Sequence, residues 1–101
     1  MVIYICSPFR GIKSRNVELA RRLCRKATLE GKLVICPHLF YPQFLDDDDP
    51  QERELGIQQC RTWLRFADEV WVLEGTISDG MAQEIYEANR LGIPIKTVRK
   101  G

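Results

Sequence analysis

Four short runs rich in β-branched and aromatic residues, separated by helix-length stretches, constrain this chain more than any other feature. "VIYIC" (Val2 to Cys6), "KLVIC" (Lys32 to Cys36), "DEVWVLE" (Asp68 to Glu74) and "IPIKTV" (Ile93 to Val98) each read as a strand. The first stretch between them predicts a helix from about Arg15 to Glu30. It puts Val17, Ala20, Cys24 and Ala27 on one face, Leu23 beside them, and Gly31 at its end. The next helix opens at Asp49-Pro50-Gln51-Glu52 with an N-cap, a proline in first position and an acid in third. Its inner face is Ile57, Cys60, Leu64 and Ala67. The last helix follows the turn "GTISDG", ends at Gly92, and buries Met81, Ile85 and Ala88. "PHLFYPQFLDDDD" reads as a long loop. Strand and helix in alternation predict an α/β fold with a parallel sheet of about four strands and helices on both faces, Rossmann-like or flavodoxin-like in topology. The expected organisation is a single domain, residues 1–101.

Bulk properties narrow the function. Lys and Arg total 15 against 14 Asp and Glu, for a net charge of +1, so no overall field draws in nucleic acid. No apolar run approaches about 20 residues, so no membrane span is expected. "MVIYIC" is too short for a signal peptide and lacks a basic start. Cys6, Cys24, Cys36 and Cys60 form no CxxC pair, and each lies in an apolar run or stripe. They read as buried free thiols of a cytoplasmic protein. The dinucleotide and P-loop glycine fingerprints are missing.

In such sheets ligands bind beyond the carboxyl ends of the strands. Here those ends are "SPFRG", "PHLFYP" and "EGTISDG". Glu84 lies beside the buried stripe of the last helix and near its positive end, which favours an ionised carboxylate. Two readings of that placement stand: a boundary carboxylate paired with an arginine, or a nucleophile. No metal is expected. One Asp of the run Asp46 to Asp49 is needed as an N-cap and the rest suit a solvated loop, while His38 is the sole histidine where a metal site wants more than one such ligand. Arg10 to Lys26 holds seven Lys or Arg and one acid, Glu18, a solvated face that could also attract phosphate.

The motifs "YICSPFRG", "PHLF", "LDD..PQER..G", "ADEVWVL", "SDGM..EI..A" and "LGIPI" cover nearly the whole chain. As a set they resemble the nucleoside 2-deoxyribosyltransferase superfamily, which includes nucleotide N-glycosidases of the Rcl type. The resemblance implies that Glu84 attacks the anomeric carbon of a deoxyribose, forming a sugar ester that water or a second base resolves. It implies that Tyr4 orients that nucleophile. It points to Ser7, Arg10, Gly11, His38, Ser78, Asp79 and Gly80 as the residues that hold substrate, with Ser78, Gly80 and Arg10 favouring a 5′-phosphate. The expected ligand is a nucleotide or nucleoside, no cofactor is implied, and family members are homo-oligomers. One departure is specific. The family has a carboxylate eight residues ahead of the Asp matched by Asp68, where it helps protonate the leaving base, and this chain has Cys60 there. Asp79 or Glu52 are the substitutes within reach along the sequence. The alternative expectation is a nucleotide-binding sensor that kept the pocket and lost the chemistry. Trp63, Phe66, Phe40, Tyr41 and Phe44 need cover beyond a small core, which predicts an assembly through the middle helix and the loop before it.

Overall fold

The computed structural model describes residues 1–7, 13–75 and 77–99, and of residues 13–16 the backbone alone. Four strands, β1 (Val2–Cys6), β2 (Leu33–Ile35), β3 (Glu69–Leu73) and β4 (Ile95–Val98), form one parallel sheet in the order β2-β1-β3-β4. Helix α1 (Lys13–Leu29) follows β1, α3 (Pro50–Leu64) precedes β3, and α4 (Asp79–Arg90) links β3 to β4. The expected architecture is what the chain adopts. The chain leaves β1 towards β2, then returns past β1 to β3, so the switch point of the sheet lies between β1 and β3. Ligand crevices of open α/β sheets form there.

Strand parity sorts the core into two layers. Side chains alternate across a sheet, so Ile3 and Ile5 of β1 join Trp71 and Leu73 of β3 under α1, against Leu19, Leu23 and Ala27. Tyr4 and Cys6 point the other way, with Val70 and Val72, beneath α3 and α4, against Leu64, Met81 and Ala88. Both central strands are therefore nearly continuous apolar runs, as a sheet covered on both faces requires. Over β3 the first layer has an unusual roof. Trp71 is only 2% exposed, and the Nζ atoms of Lys26, Lys32 and Lys96 lie 6.0, 5.1 and 5.4 Å from its ring centroid. Its indole N–H donates to Glu69 Oε1 at 2.7 Å.

Three details differ from the sequence reading. The segment expected to be one long loop carries a four-residue helix, α2 (Pro37–Phe40), and a 3-10 turn (Tyr41–Gln43). Each has a proline in its first turn, where the missing N–H costs nothing. Val17 is 37% exposed, whereas Leu19 is buried, so the inner stripe of α1 is rotated from the expected one. Of the four free cysteines only Cys6 is fully buried, the others being half-buried.

The start of α3 is built as expected. Asp49 Oδ1 accepts the backbone N–H groups of Gln51 and Glu52 at 2.9 and 3.3 Å, with Pro50 following it in first position. Asp49→Ala is expected to destabilise the fold by about 1 kcal/mol. Urea denaturation, read as a shift in midpoint at constant slope, checks this.

Candidate active site

The turn that follows β3 ends on Ser78, which caps α4. Ser78 is extended, and its Oγ accepts the Met81 backbone N–H at 3.2 Å. The first turn of α4 thus points its free N–H groups away from the core. Asp79 is exposed, and a Cβ built on Gly80 would meet nothing within 4 Å. Open space therefore lies directly over the positive end of the helix. One and a half turns later Glu84 is turned towards the second core layer and is only 7% exposed.

A buried carboxylate has to be held. His38 does this from α2, with its Nε2 3.0 Å from Glu84 Oε1. Among the described residues no hydrogen bond of ordinary geometry reaches the buried second oxygen, Glu84 Oε2, or the Tyr4 and Ser7 hydroxyls. The strand parity of β1 sends Tyr4 to this side, where its ring is fully buried and its hydroxyl faces Glu84 and Cys60. Burial first and the Glu84 charge second push the Tyr4 phenol well above its ordinary range. The same two causes raise the Cys6 thiol and push Cys60 up to about 12. Buried polar atoms without such a partner among the described residues call for an explanation beyond packing, and Tyr4 and Glu84 are close enough to act on one another.

Above them opens a cavity of about 310 Å³, within the range of small-molecule sites. His38, Ser78, Asp79, Gly80 and Glu84 line it. Ser7 and Tyr4 are fully buried and do not line it, and Tyr4 stands behind the wall residues Glu84 and Cys60. Arg10 and Gly11 lie outside the described residues. The structure so brings together the expected residues of β1, α2 and α4. It adds a wall of α3 made by Arg53, Gly56, Ile57, Cys60 and Arg61, of which the sequence had marked only Cys60 as a site position, and Tyr41 lines the cavity as well. The stripe Ile57, Cys60, Leu64 looked like core throughout. In fact Leu64 packs under α3 while Ile57 and Cys60 look into the cavity. The two arginines flanking that stripe were the available signal. Among the described residues no cluster of three or more His, Cys, Asp or Glu is placed to hold a metal ion, and no helix is long and apolar enough to cross a membrane.

This α/β fold has a counterpart among solved structures. A solved 2-deoxyribosyltransferase from the psychrotolerant bacterium Bacillus psychrosaccharolyticus superposes with a TM-score of 0.73 at 22% identity, over 98% of this chain and 72% of that one. No curated protein matches the sequence. The chain belongs to the family described as "Domain of unknown function (DUF7768)", whose model matches residues 1–98.

The raised thiols and phenol have a consequence for stability. Cys6, Cys60 and Tyr4 keep their protons in the fold at a pH where the unfolded chain releases them. Their stabilising contribution is whole below the ordinary thiol value of 9.0 and is lost as pH rises, for Cys60 up to about 12. Denaturation midpoints should hold from pH 7 to 8.5 and fall above pH 9. The fall should be shallower in Cys60→Ala, measured by the same titration.

Proposed function

We propose that this protein cleaves the base–sugar bond of a (deoxy)nucleoside 5′-monophosphate or nucleoside, with Glu84 as the nucleophile. The observation that carries this reading is the state of the Glu84 carboxylate: one oxygen held by His38 at 3.0 Å, the other buried, without a hydrogen bond of ordinary geometry among the described residues, on a residue that lines the cavity. In the proposed reaction Glu84 Oε2 bonds to C1′ as the bond to the base breaks. Water or a second base then displaces the carboxylate from C1′ with overall retention. Tyr4 positions the attacking oxygen from behind. The open space over Gly80 at the start of α4 receives the 5′-phosphate, with Ser78 beside it and Arg10 from the first loop as counter-charge. The four free thiols suit a reducing cytoplasm. This reading follows the likeness to nucleotide N-glycosidases of the Rcl type.

Glu84→Gln should abolish base release with the fold intact, scored by chromatography of free base alongside circular dichroism. Full turnover by that variant would remove Glu84 from the chemistry. A second reading, a nucleotide-binding sensor without turnover, is favoured by the neutral thiol of Cys60 in the place of an acid. Tight nucleotide binding with no base released by the wild-type protein would establish it. For the phosphate, Arg10→Ala should weaken 5′-monophosphate binding by about 1.5–3 kcal/mol and leave nucleoside binding nearly unchanged, as calorimetry would read.

Assembly belongs to the same proposal. Phe40, Phe44, Trp63 and Phe66 are 55%, 57%, 42% and 64% exposed, yet they form one patch. Phe40 and Phe44 pack edge-on against Tyr41, whose hydroxyl accepts the Trp63 indole N–H at 2.9 Å, and Trp63 in turn meets Phe66. Tyr41 itself is buried at 7%, so the loop covers part of what it was expected to expose. A second copy burying this patch would form a symmetric dimer. Light scattering at micromolar concentration should give at least twice the 11.7 kDa chain mass. Phe44→Asp with Phe66→Asp should return it to the monomer.

A further inference from the structure

A nucleophile alone does not break a base–sugar bond. The departing base must accept the bonding electron pair. A neutral purine or pyrimidine does so readily only when an acid protonates it, and that assistance contributes typically ~10²–10⁴-fold. In this cavity the group of α3 that faces Tyr4 and Glu84 is the Cys60 thiol. Pushed up to about 12 by burial and by the Glu84 charge, it holds its proton too firmly to protonate a base at neutral pH. Three other carboxyl groups line the wall, Asp47, Glu52 and Asp79. Glu52 Oε1 accepts the Asp46 backbone N–H at 3.1 Å, and Asp79 is exposed in the first turn of α4.

The charge of the wall points the same way. Among the described residues, Asp47, Glu52, Asp79 and Glu84 face Arg53 and Arg61, a surplus of carboxylate over guanidinium. Tyr41 supplies an aromatic face on the same wall. Negative charge beside an aromatic ring holds an organic cation better than a neutral base.

Resting on the glycosidic reaction proposed above, we infer that the preferred substrate is a nucleotide whose base is already cationic, an N-ribosyl pyridinium or an N-alkylated purine. Glu84 Oε2 forms its bond to C1′ while the C1′–N bond breaks. Both electrons of that bond go to the ring, which loses its positive charge and leaves as a neutral molecule with no proton supplied. Water then attacks C1′, the C1′–O bond to Glu84 breaks, the carboxylate is restored, and one proton passes to solvent. The balance is one N-ribosyl cation and one water giving a neutral base, a sugar phosphate and a proton. A thiol rather than an acid facing Glu84 is thereby no defect, because this leaving group needs no proton.

The test is a panel of nicotinamide mononucleotide and N7-methylguanosine 5′-monophosphate beside AMP, GMP, dAMP, dGMP and dCMP. Base release is measured by chromatography, with the uncatalysed rate subtracted for each. The two cationic nucleotides should be cleaved with kcat/KM at least ~100-fold above the neutral ones, the lower end of what acid assistance supplies. Cys60→Asp should narrow that ratio by ~10-fold or more through faster cleavage of neutral nucleotides. Wild-type cleavage of neutral nucleotides as fast as cationic ones would overturn this inference and leave the Glu84 reaction standing. Release from none of the panel would overturn both. Should Cys60→Asp fail to fold, the wild-type panel alone still decides between these outcomes.

Discussion

The contact between His38 Nε2 and Glu84 Oε1 is the interaction on which the site depends. A carboxylate that is 7% exposed carries a large desolvation cost unless charge or hydrogen bonds offset it. One partner on one oxygen offsets part of that cost and leaves the remainder in the fold. Among the described residues the buried Tyr4 and Ser7 hydroxyls also lack a hydrogen bond of ordinary geometry. This corner of the molecule is held less favourably than an apolar replacement of the same shape would be. Stability given up in one place, at the switch point of the sheet and beside a cavity, is the usual mark of a site kept for chemistry.

The position of that contact follows from the backbone. Tyr4 faces Glu84 because it stands one residue from Ile3 and one from Ile5, and a strand alternates. A register slip by one residue would exchange the layers and put the phenol under α1. His38 reaches Glu84 because β2 ends at Ile35 and the chain turns at once into α2. Both partners are thus set by where parallel strands stop, and α3 closes the cavity from the same side.

Much of this was legible in the residues. Four apolar runs alternating with capped helices give a parallel sheet with little choice of topology, and the runs Val2 to Cys6 and Asp68 to Glu74 land within a residue of β1 and β3. The stripe Met81, Ile85, Ala88 with Glu84 at its edge was legible too, although Glu84 is buried more deeply than Ile85. What escaped was whatever has no period. A four-residue helix between two prolines repeats nothing, so "PHLFYPQ" looked like a loop. Ile57 and Cys60 share a helical stripe with Leu64, and periodicity cannot say where along a stripe the core ends and a cavity begins. The choice of Leu19 over Val17, about half a turn away, was lost for a related reason: in α1 several faces carry an apolar residue, and only the sheet selects among them.

The roof over Trp71 divides the first core layer into two materials. Over β1 and β2 the cover is α1, a packed helix whose removal means unfolding. Over β3 the indole shares the cluster of Leu19, Leu23 and Ala27 but is also ringed by the Nζ atoms of Lys26, Lys32 and Lys96, of which Lys32 is paired with Glu30. The exposed Lys26 and Lys96 change rotamer in picoseconds to nanoseconds, so this edge of the indole is bordered by mobile side chains while the backbone hydrogen bonds of the sheet stay in place. The molecule has in effect a hard wall and a curtain on the same face, and the curtain hangs on the side of the sheet away from the cavity.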